Sequence, residues 1–409
     1  MKIAIVGGGA SGVFCAIHAK NAKNQVVIFE KNEKLMKKLF ITGKGRCNVT
    51  NDCERDEFFR AVLRNPKFLM SAYDKITPQD VMAFFEDNGL SLKVERGGRV
   101  FPVSDKSSDV LKVLAGKAEK LGCEIRLNSE VKSVYRKGEG FLINVGGSRE
   151  TFDAVVIATG GVTYVQTGST GDGYKFAENM GLALKEPKVS LCGFVTNGGN
   201  SDIAGLALKN VKLNVKDKKG KLKFSEMGEM LFTHNGISGP IVLTASAVFA
   251  GKNLRDYDIT LDLKPALTDE MMEKRLLADF EKNINKNFKN SLFELLPNNL
   301  IERVIKLSGI DGDKKVNEIT KEERKNLLET FKRHPLFVRD FEEMNGGIIT
   351  CGGVSVKEVA PQTMMCKKVP NLYFIGEVLD LDAVTGGFNL QVAFSTAYMA
   401  GINLAGEEE

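Results

Sequence analysis

"KIAIVGGGASGVFCAIHAKNAKNQVVIFE", residues 2–30, decides the fold. "KIAIV" is a short apolar run of the kind that fills a parallel strand buried on both faces. It runs into three glycines. Residues 11–22 then carry apolar side chains at helical spacing, and "QVVIFE" reads as a second buried strand. Strand, tight turn, helix and strand make a βαβ unit. Inside it stands Gly7-x-Gly9-x-x-Gly12, with Glu30 closing the second strand at roughly the 20-residue remove a dinucleotide site requires. Gly7 permits the turn, Gly9 lets a pyrophosphate approach the backbone, and Gly12 lets helix and strand pack closely. The helix N-terminus offers N–H groups and partial positive charge to phosphate. Glu30 can accept from both ribose hydroxyls and would repel a 2′-phosphate, so NADP is disfavoured at this position.

Composition sets the bounds. The chain has 409 residues, room for two or three domains. With 43% hydrophobic and 27% charged residues it reads as a globular protein with a large core. The net charge of +5 is small for this length. It suits anionic small ligands and gives no nucleic-acid footprint, so a small-molecule partner and no nucleic acid is the expectation. No apolar run reaches 18 residues, so no membrane span is expected. The opening shows no basic leader or cleavage site, and the seven cysteines are odd in number and widely spaced. Together these predict reduced thiols in a cytoplasmic protein. There is no CxxC and only three histidines, so no metal site is expected. Oligomeric state is left open.

Further along, "TPQDVMAFFEDNGL" predicts a helix with Thr77 as N-cap and Pro78 at its first position. "SSDVLKVLAGKAEKLG" predicts another capped helix, and Ala154–Ala158 a buried strand. Residues 190–266 alternate like antiparallel strands, with "DKKGK" as a hairpin tip. Residues 267–343 turn helical, with a Thr320/Glu323 capping box. The lysines of "EKNINKNFKN" read as a solvated face and the final "EEE" as a frayed tail. From 344 the α/β pattern returns. The division predicted is therefore 1–189 and 344–409 for one cofactor domain, 190–266 for an inserted β-barrel-like substrate domain, and 267–343 for an inserted helical domain.

The late segments separate FAD from NAD. "VIATGG" ends a buried strand at Ala158-Thr159-Gly160. "LYFIGEVLD" puts Gly376-Glu377 after another, and "TGGFNLQVAF" puts two glycines, the second Gly387, before a helix. A glycine break that aims a helix N-terminus at a ligand suits the flavin edge where negative charge grows on reduction. A nicotinamide dehydrogenase needs none of these elements.

At this point the chain resembles the glutathione-reductase-type FAD fold. Within that fold it is similar to a family of bacterial flavoproteins that includes aminoacetone oxidase and a bile-acid-pathway dehydro-steroid reductase. The resemblance is carried by "VGGGASG", "KKLFITGKGRCNVTN", "VIATGG" with "GSTGDGY", "GEMLFTHNGISGP" and the stretch from "LYFIGEVLD" through "TGGFNLQVAFSTAYMAG". A lysine stands at 44, where a small residue is expected. The resemblance implies an α/β fold with an inserted antiparallel β-barrel-like domain and a small helical domain. It implies that Ser11, Glu30 and Lys31 contact the ADP part of FAD, and that Arg46, Cys47 and Asn48 lie along the pyrophosphate, ribitol and flavin. Gly45 lets the backbone lie close. Val131 meets the adenine through its backbone, and Thr159 and Gly160 sit beside the cofactor. Gly376 and Glu377 fall near the ribitol and pyrophosphate, and Asn389 and Leu390 at the flavin pyrimidine edge.

Other residues carry two readings. His234 either serves as proton donor or substrate anchor, its ordinary pKa lying near neutrality, or fixes its loop. Asn235 shapes the same pocket. Arg99 either holds an anionic substrate or lies on the surface. Asp172 either caps the helix after it or bounds the substrate site. Cys47, with Cys53 as its nearest neighbour, reads as a packed thiol rather than a redox dithiol, and so does Cys351. His18 reads as structural, and His334 as a surface loop residue.

The function expected is that of an FAD-dependent oxidoreductase, with substrate between the flavin and the inserted β module. Hydride passes between a small organic substrate or NAD(P)H and the flavin. Only one dinucleotide fingerprint is present, so NADH or NADPH would bind transiently. The alternatives are an amine or aminoketone oxidase that makes hydrogen peroxide, an RNA-modifying or RNA-binding flavoprotein, and a redox-sensing scaffold that holds FAD without turnover.

Overall fold

Five short strands lie parallel in the order Leu372–Phe374, Ala154–Ile157, Lys2–Val6, Gln25–Phe29 and Glu124–Arg126. Ile3, Ala4, Ile5, Val27, Ile28, Val155 and Val156 are completely buried, as the unbroken apolar runs require. Burial of each aliphatic side chain is worth about 1.5–3 kcal/mol. Val6 is opposite Phe29 and Ile157, and Ile157 is opposite Phe374. The residues that leave these strands, Gly7, Glu30, Ala158 and Ile375, therefore emerge along one edge of the sheet.

This computed structural model describes residues 1–406. The expected acidic tail, Glu407–Glu409, lies outside the described residues. Two compact units are present. The first comprises Met1–Ser190 and the segment that begins at Glu343; the second is Leu191–Glu342.

In the first unit, helix Ala10–Ala19 packs closely on helix Phe388–Ala405. A Cβ at Gly401 would sit 2.6 Å from the Cβ of His18, so only glycine fits there. The meander Val131–Lys137, Gly140–Val145 and Ser148–Phe152 sends Val134, Phe141 and Ile143 into the same core. Just before its first strand, Ser129 N–H donates to the Glu30 carbonyl at 2.8 Å. Thr77 is the expected N-cap, and Asp80 completes a capping box with it. Helix Ser107–Lys120 differs from expectation. Its N-cap is Lys106 and no side chain caps it; the Ser104 hydroxyl bonds the Asp109 carboxylate instead.

In the second unit all pairings of a seven-stranded sheet are antiparallel. Its long hairpin, Ala207–Asp217 with Leu222–Thr233, turns at the "DKKGK" tip. Leu213, Phe232 and Ile237 of the strands share one apolar cluster with Leu276, Leu300 and Leu327 of the helices. After helix Lys321–Lys332 the chain returns to the sheet as His334–Pro335 and Val338–Phe341. His334 is thus not a surface loop residue. It is 1% exposed and sits opposite Leu261 in an outermost strand, the place in a sheet where the following proline is tolerated. Burial pulls its pKa down to about 4, and Arg303 adds to the effect.

Candidate dinucleotide site at the sheet edge

The fingerprint turn is set by sterics. Gly7 has φ +110°, and a Cβ there would sit 2.4 Å from the Ala158 carbonyl oxygen. At Gly12 a Cβ would meet the Gly7 carbonyl oxygen at 2.0 Å. Gly9 is different: a Cβ there would meet no protein atom within 4 Å. Gly9 is also the N-cap of helix Ala10–Ala19, which has no side-chain cap and no acidic residue in its first turn. Bare N–H groups therefore face open space. Ser11 is buried in that first turn and lies close to Gly376, whose N–H donates to Thr396 Oγ1 at 3.0 Å.

Glu30 is buried beside this turn. Its Oε2 accepts from Gly8 N–H at 2.9 Å, and its Oε1 accepts from Asn32 N–H at 2.9 Å and Asn32 Nδ2 at 2.6 Å. A carboxylate has about four acceptor positions, so one remains for a further donor. The neighbouring Lys31 ammonium is held by Asp172 at 2.6 Å and by the Thr170 hydroxyl. That pairing corrects the capping reading of Asp172. The N-cap of helix Asp172–Asn179 is Gly171, with no side-chain cap, and the carboxylate turns to Lys31. Burial alone would raise the Asp172 pKa, but its bonds to Lys31 and Thr170 bring it below the ordinary value.

The "TGKGRCNVTN" loop and the late glycine turn prove to be neighbours. Gly43, Lys44, Gly45 and Cys47 all have left-handed φ, between +57° and +83°. Asn51 Nδ2 donates to the Gly386 carbonyl at 2.8 Å, and Thr50 Oγ1 bonds Gln391 Oε1 at 2.6 Å. A Cβ on Gly387 would lie 2.3 Å from the Thr50 carbonyl oxygen. Gly387 is the N-cap of helix Phe388–Ala405, again without a side-chain cap. Asn389 is spent on the loop before it, bonding both the N–H and the carbonyl of Ala383. Asn48 Oδ1 accepts from Val100 N–H at 3.1 Å. Leu390 is half-buried.

Two expected side chains have partners within the protein. The Arg46 guanidinium pairs with Glu95 and Asp105 and lies 4.1 Å from the centroid of the Phe101 ring. Arg99 is exposed and donates to the Arg96 carbonyl. Cys47 is fully buried, and burial pushes its pKa up to about 12 despite a bond from Thr42. All seven cysteines are free and buried. Val131 is buried at the start of the meander. His234 and Asn235 belong to the second unit, where they form the exposed turn before Gly236–Ser238; the His234 carbonyl accepts from Asn200 N–H.

Sequence reading missed Lys38. Its ammonium lies 2.7 Å from Glu377 and 2.9 Å from Thr163 Oγ1. Glu377 Oε1 also accepts from Thr350 N–H at 2.9 Å, and Thr350 Oγ1 accepts from Val162 N–H at 2.9 Å. One cluster therefore joins the exits of strands Ala154–Ile157 and Leu372–Phe374 to the helix that begins at Lys37. Lys38 lies within a stretch already singled out, but its partner is 339 residues away, so no local pattern marks it. Asp382 was missed too. Its buried carboxylate is held by Arg64 at 2.6 Å and Ser190 at 3.1 Å, and burial raises its pKa.

These residues fit an FAD. Two uncapped helix N-termini, the open space at Gly9, the spare acceptor on Glu30 and the buried, unpartnered Thr159 hydroxyl suit a dinucleotide with two phosphates, a ribose and a polar ring edge. Fold and site together define a Rossmann-fold flavoprotein oxidoreductase. The chain belongs to the family described as HI0933-like protein Rossmann domain, whose model matches residues 1–403. A 3-dehydro-bile acid delta(4,6)-reductase from Clostridium scindens is 30% identical, over 98% of each chain. A ribosomal RNA dihydrouridine synthase from Escherichia coli is 31% identical, over 96% of this chain and 95% of that one. The protein of the same description from Haemophilus influenzae is 29% identical, over 98% of each. Among solved structures, the 3-ketosteroid-delta4-(5alpha)-dehydrogenase from Rhodococcus jostii shares the fold, with a TM-score of 0.56 at 14% identity, over 99% of this chain and 96% of that one.

Proposed function

We propose that this protein is an NAD(P)H-linked, FAD-dependent reductase that saturates a carbon–carbon double bond conjugated to a carbonyl. One observation carries the reading. Two differently described relatives, each about as similar to this chain over nearly its full length, share that chemistry. A 4,6-diene beside a 3-ketone and the C5=C6 bond of uracil beside its C4 carbonyl are both electron-poor alkenes. Each takes a hydride at the β-carbon and a proton at the α-carbon.

Bound FAD would relay the electron pair from NAD(P)H to the substrate. The chain supplies binding and protons. Gly7, Gly9, Ser11 and Gly12 would hold the pyrophosphate and Glu30 the ribose. Val131 would meet the adenine, and Lys31 would help through the ion pair that fixes it. Gly45, Cys47 and Asn48 would line the cofactor with Ala158, Thr159, Gly160, Gly376, Gly387 and Leu390. Arg46, Glu377 and Asn389 are assigned to shaping these loops, since their side chains are committed to protein partners. The proton is assigned to His234, because it alone of the three histidines is exposed. Arg99 and Asn235 are assigned to substrate. Free, buried thiols support a reducing compartment such as the cytoplasm.

The RNA reading of the substrate is favoured by the two dihydrouridine synthases among the relatives. The test is anaerobic reduction with NADH or NADPH, followed by a 4-en-3-one steroid, free uridine or ribosomal RNA as acceptor. Reoxidation by an alkene acceptor supports the proposal. Reoxidation by oxygen alone, with hydrogen peroxide formed, overturns it in favour of an oxidase.

A further inference from the structure

We infer that the Ala207–Asp217/Leu222–Thr233 hairpin of the second unit is an RNA-backbone-binding surface; this rests on the RNA reading of the substrate and assigns it a contact surface. Residues 209–223 hold seven lysines and one acidic residue, Asp217; Glu226 and Glu229 lie farther along the second strand, so the hairpin as a whole carries +4 of the chain's net +5. The charge that looks dilute along the sequence is thus concentrated on one element.

The acidic residue does not neutralise the cluster. Asp217 Oδ1 accepts from the N–H groups of Lys219 and Lys221, at 3.0 and 2.9 Å, which shapes the tip around the left-handed Gly220. Its other oxygen pairs with Lys223 at 2.9 Å. The neighbouring strand Tyr257–Asp262 brings two more carboxylates. Asp258 pairs with Lys218 at 2.6 Å, and Asp262 with the buried Lys332 at 2.6 Å. Lys209, Lys212, Lys216, Lys219 and Lys221 have no ion-pair partner among the described residues, and all but the half-buried Lys212 are exposed.

The arrangement is also ordered. Strand Ala207–Asp217 is hydrogen-bonded on both sides, so Lys212 and Lys216 do not serve to guard a free sheet edge. Both stand on the face opposite to buried Leu213 and Val215, about 13 Å apart at the usual rise per residue. Fixed cations spaced along a strand suit a polymer of phosphates better than a single small anion, which would need them to converge. Each such lysine releases counterions on binding RNA and so makes affinity depend on salt.

The test compares the wild-type protein with Lys216→Ala/Lys219→Ala/Lys221→Ala, three exposed changes outside the cofactor site. Both are titrated with deproteinised bacterial ribosomal RNA at several salt concentrations, and with phosphatidylserine vesicles. Far-ultraviolet circular dichroism and flavin content check that the variant is folded. The expected result is that the slope of log affinity against log salt falls by about 2, at roughly 0.7 per lost phosphate contact on single strands. Reduction of free uridine or a steroid enone should be unchanged. An unaltered slope and affinity overturn the inference, and so does binding to vesicles without binding to RNA. Dihydrouridine formed in ribosomal RNA by the wild type is measured in parallel. If it is absent while hairpin-dependent RNA binding persists, the substrate reading fails and the surface stands. If it is present and the triple variant binds as wild type, only the surface fails.

Discussion

The Lys38 ammonium and the Glu377 carboxylate meet at 2.7 Å, each side chain about a fifth exposed, where the loops that leave two parallel strands converge. Their pairing organises the cofactor edge from within the protein. Lys38→Met should cost about 1–2 kcal/mol, modest because water partly screens the pair. Glu377→Gln should cost about as much. The double variant should cost less than the sum by at least about 0.5 kcal/mol, as expected of directly coupled residues. Urea denaturation of all four proteins measures this, and FAD affinity should fall in the same order.

Gly7 and Gly9 should respond oppositely to alanine. At Gly7 the new methyl meets a backbone carbonyl and the φ is left-handed, so Gly7→Ala should lose about 2–4 kcal/mol of stability. At Gly9 the methyl enters open space, so stability should stay within about 0.5 kcal/mol. FAD affinity should nevertheless fall at least about tenfold if the pyrophosphate takes that space as proposed. Equal effects on stability would count against the site.

Acid should weaken the fold through the half-buried His18 and the buried His334, one in each unit. Burial holds His18 and His334 at about 4, against an ordinary 6.5. The unfolded chain therefore binds more protons between these values. Stability is complete above pH 6.5 and is lost as pH falls toward 4, by up to about 3 kcal/mol for each histidine. Denaturation midpoints across this range should drop in the wild type and drop less in His334→Gln.

His234→Ala should leave stability and FAD content unchanged, since the side chain is exposed. Turnover should fall about 100-fold. Unchanged turnover would make His234 a loop residue.

The parallel sheet was legible because buried strands and a glycine turn are local patterns. Lys2–Val6, Gly7–Gly12 and Gln25–Phe29 carry their geometry in their own sequence. The Thr77 N-cap and the Thr320 capping box were legible for the same reason. Partnership across the chain was not. Lys31 with Asp172, Arg46 with Glu95 and Lys38 with Glu377 are matched only after folding, so no local pattern marks these pairs. His334 was misplaced because a proline after a helix reads as a loop, while an outermost strand accepts it equally well.

The most direct test of the central claim is the visible flavin absorbance of the purified protein under anaerobic conditions. On addition of NADH or NADPH the band should bleach, and a 4-en-3-one or a uracil-containing acceptor should restore it with one equivalent of saturated product. A colourless protein that does not take up FAD, or a flavin that reduced nicotinamide cannot bleach and no conjugated alkene can reoxidise, would contradict the account.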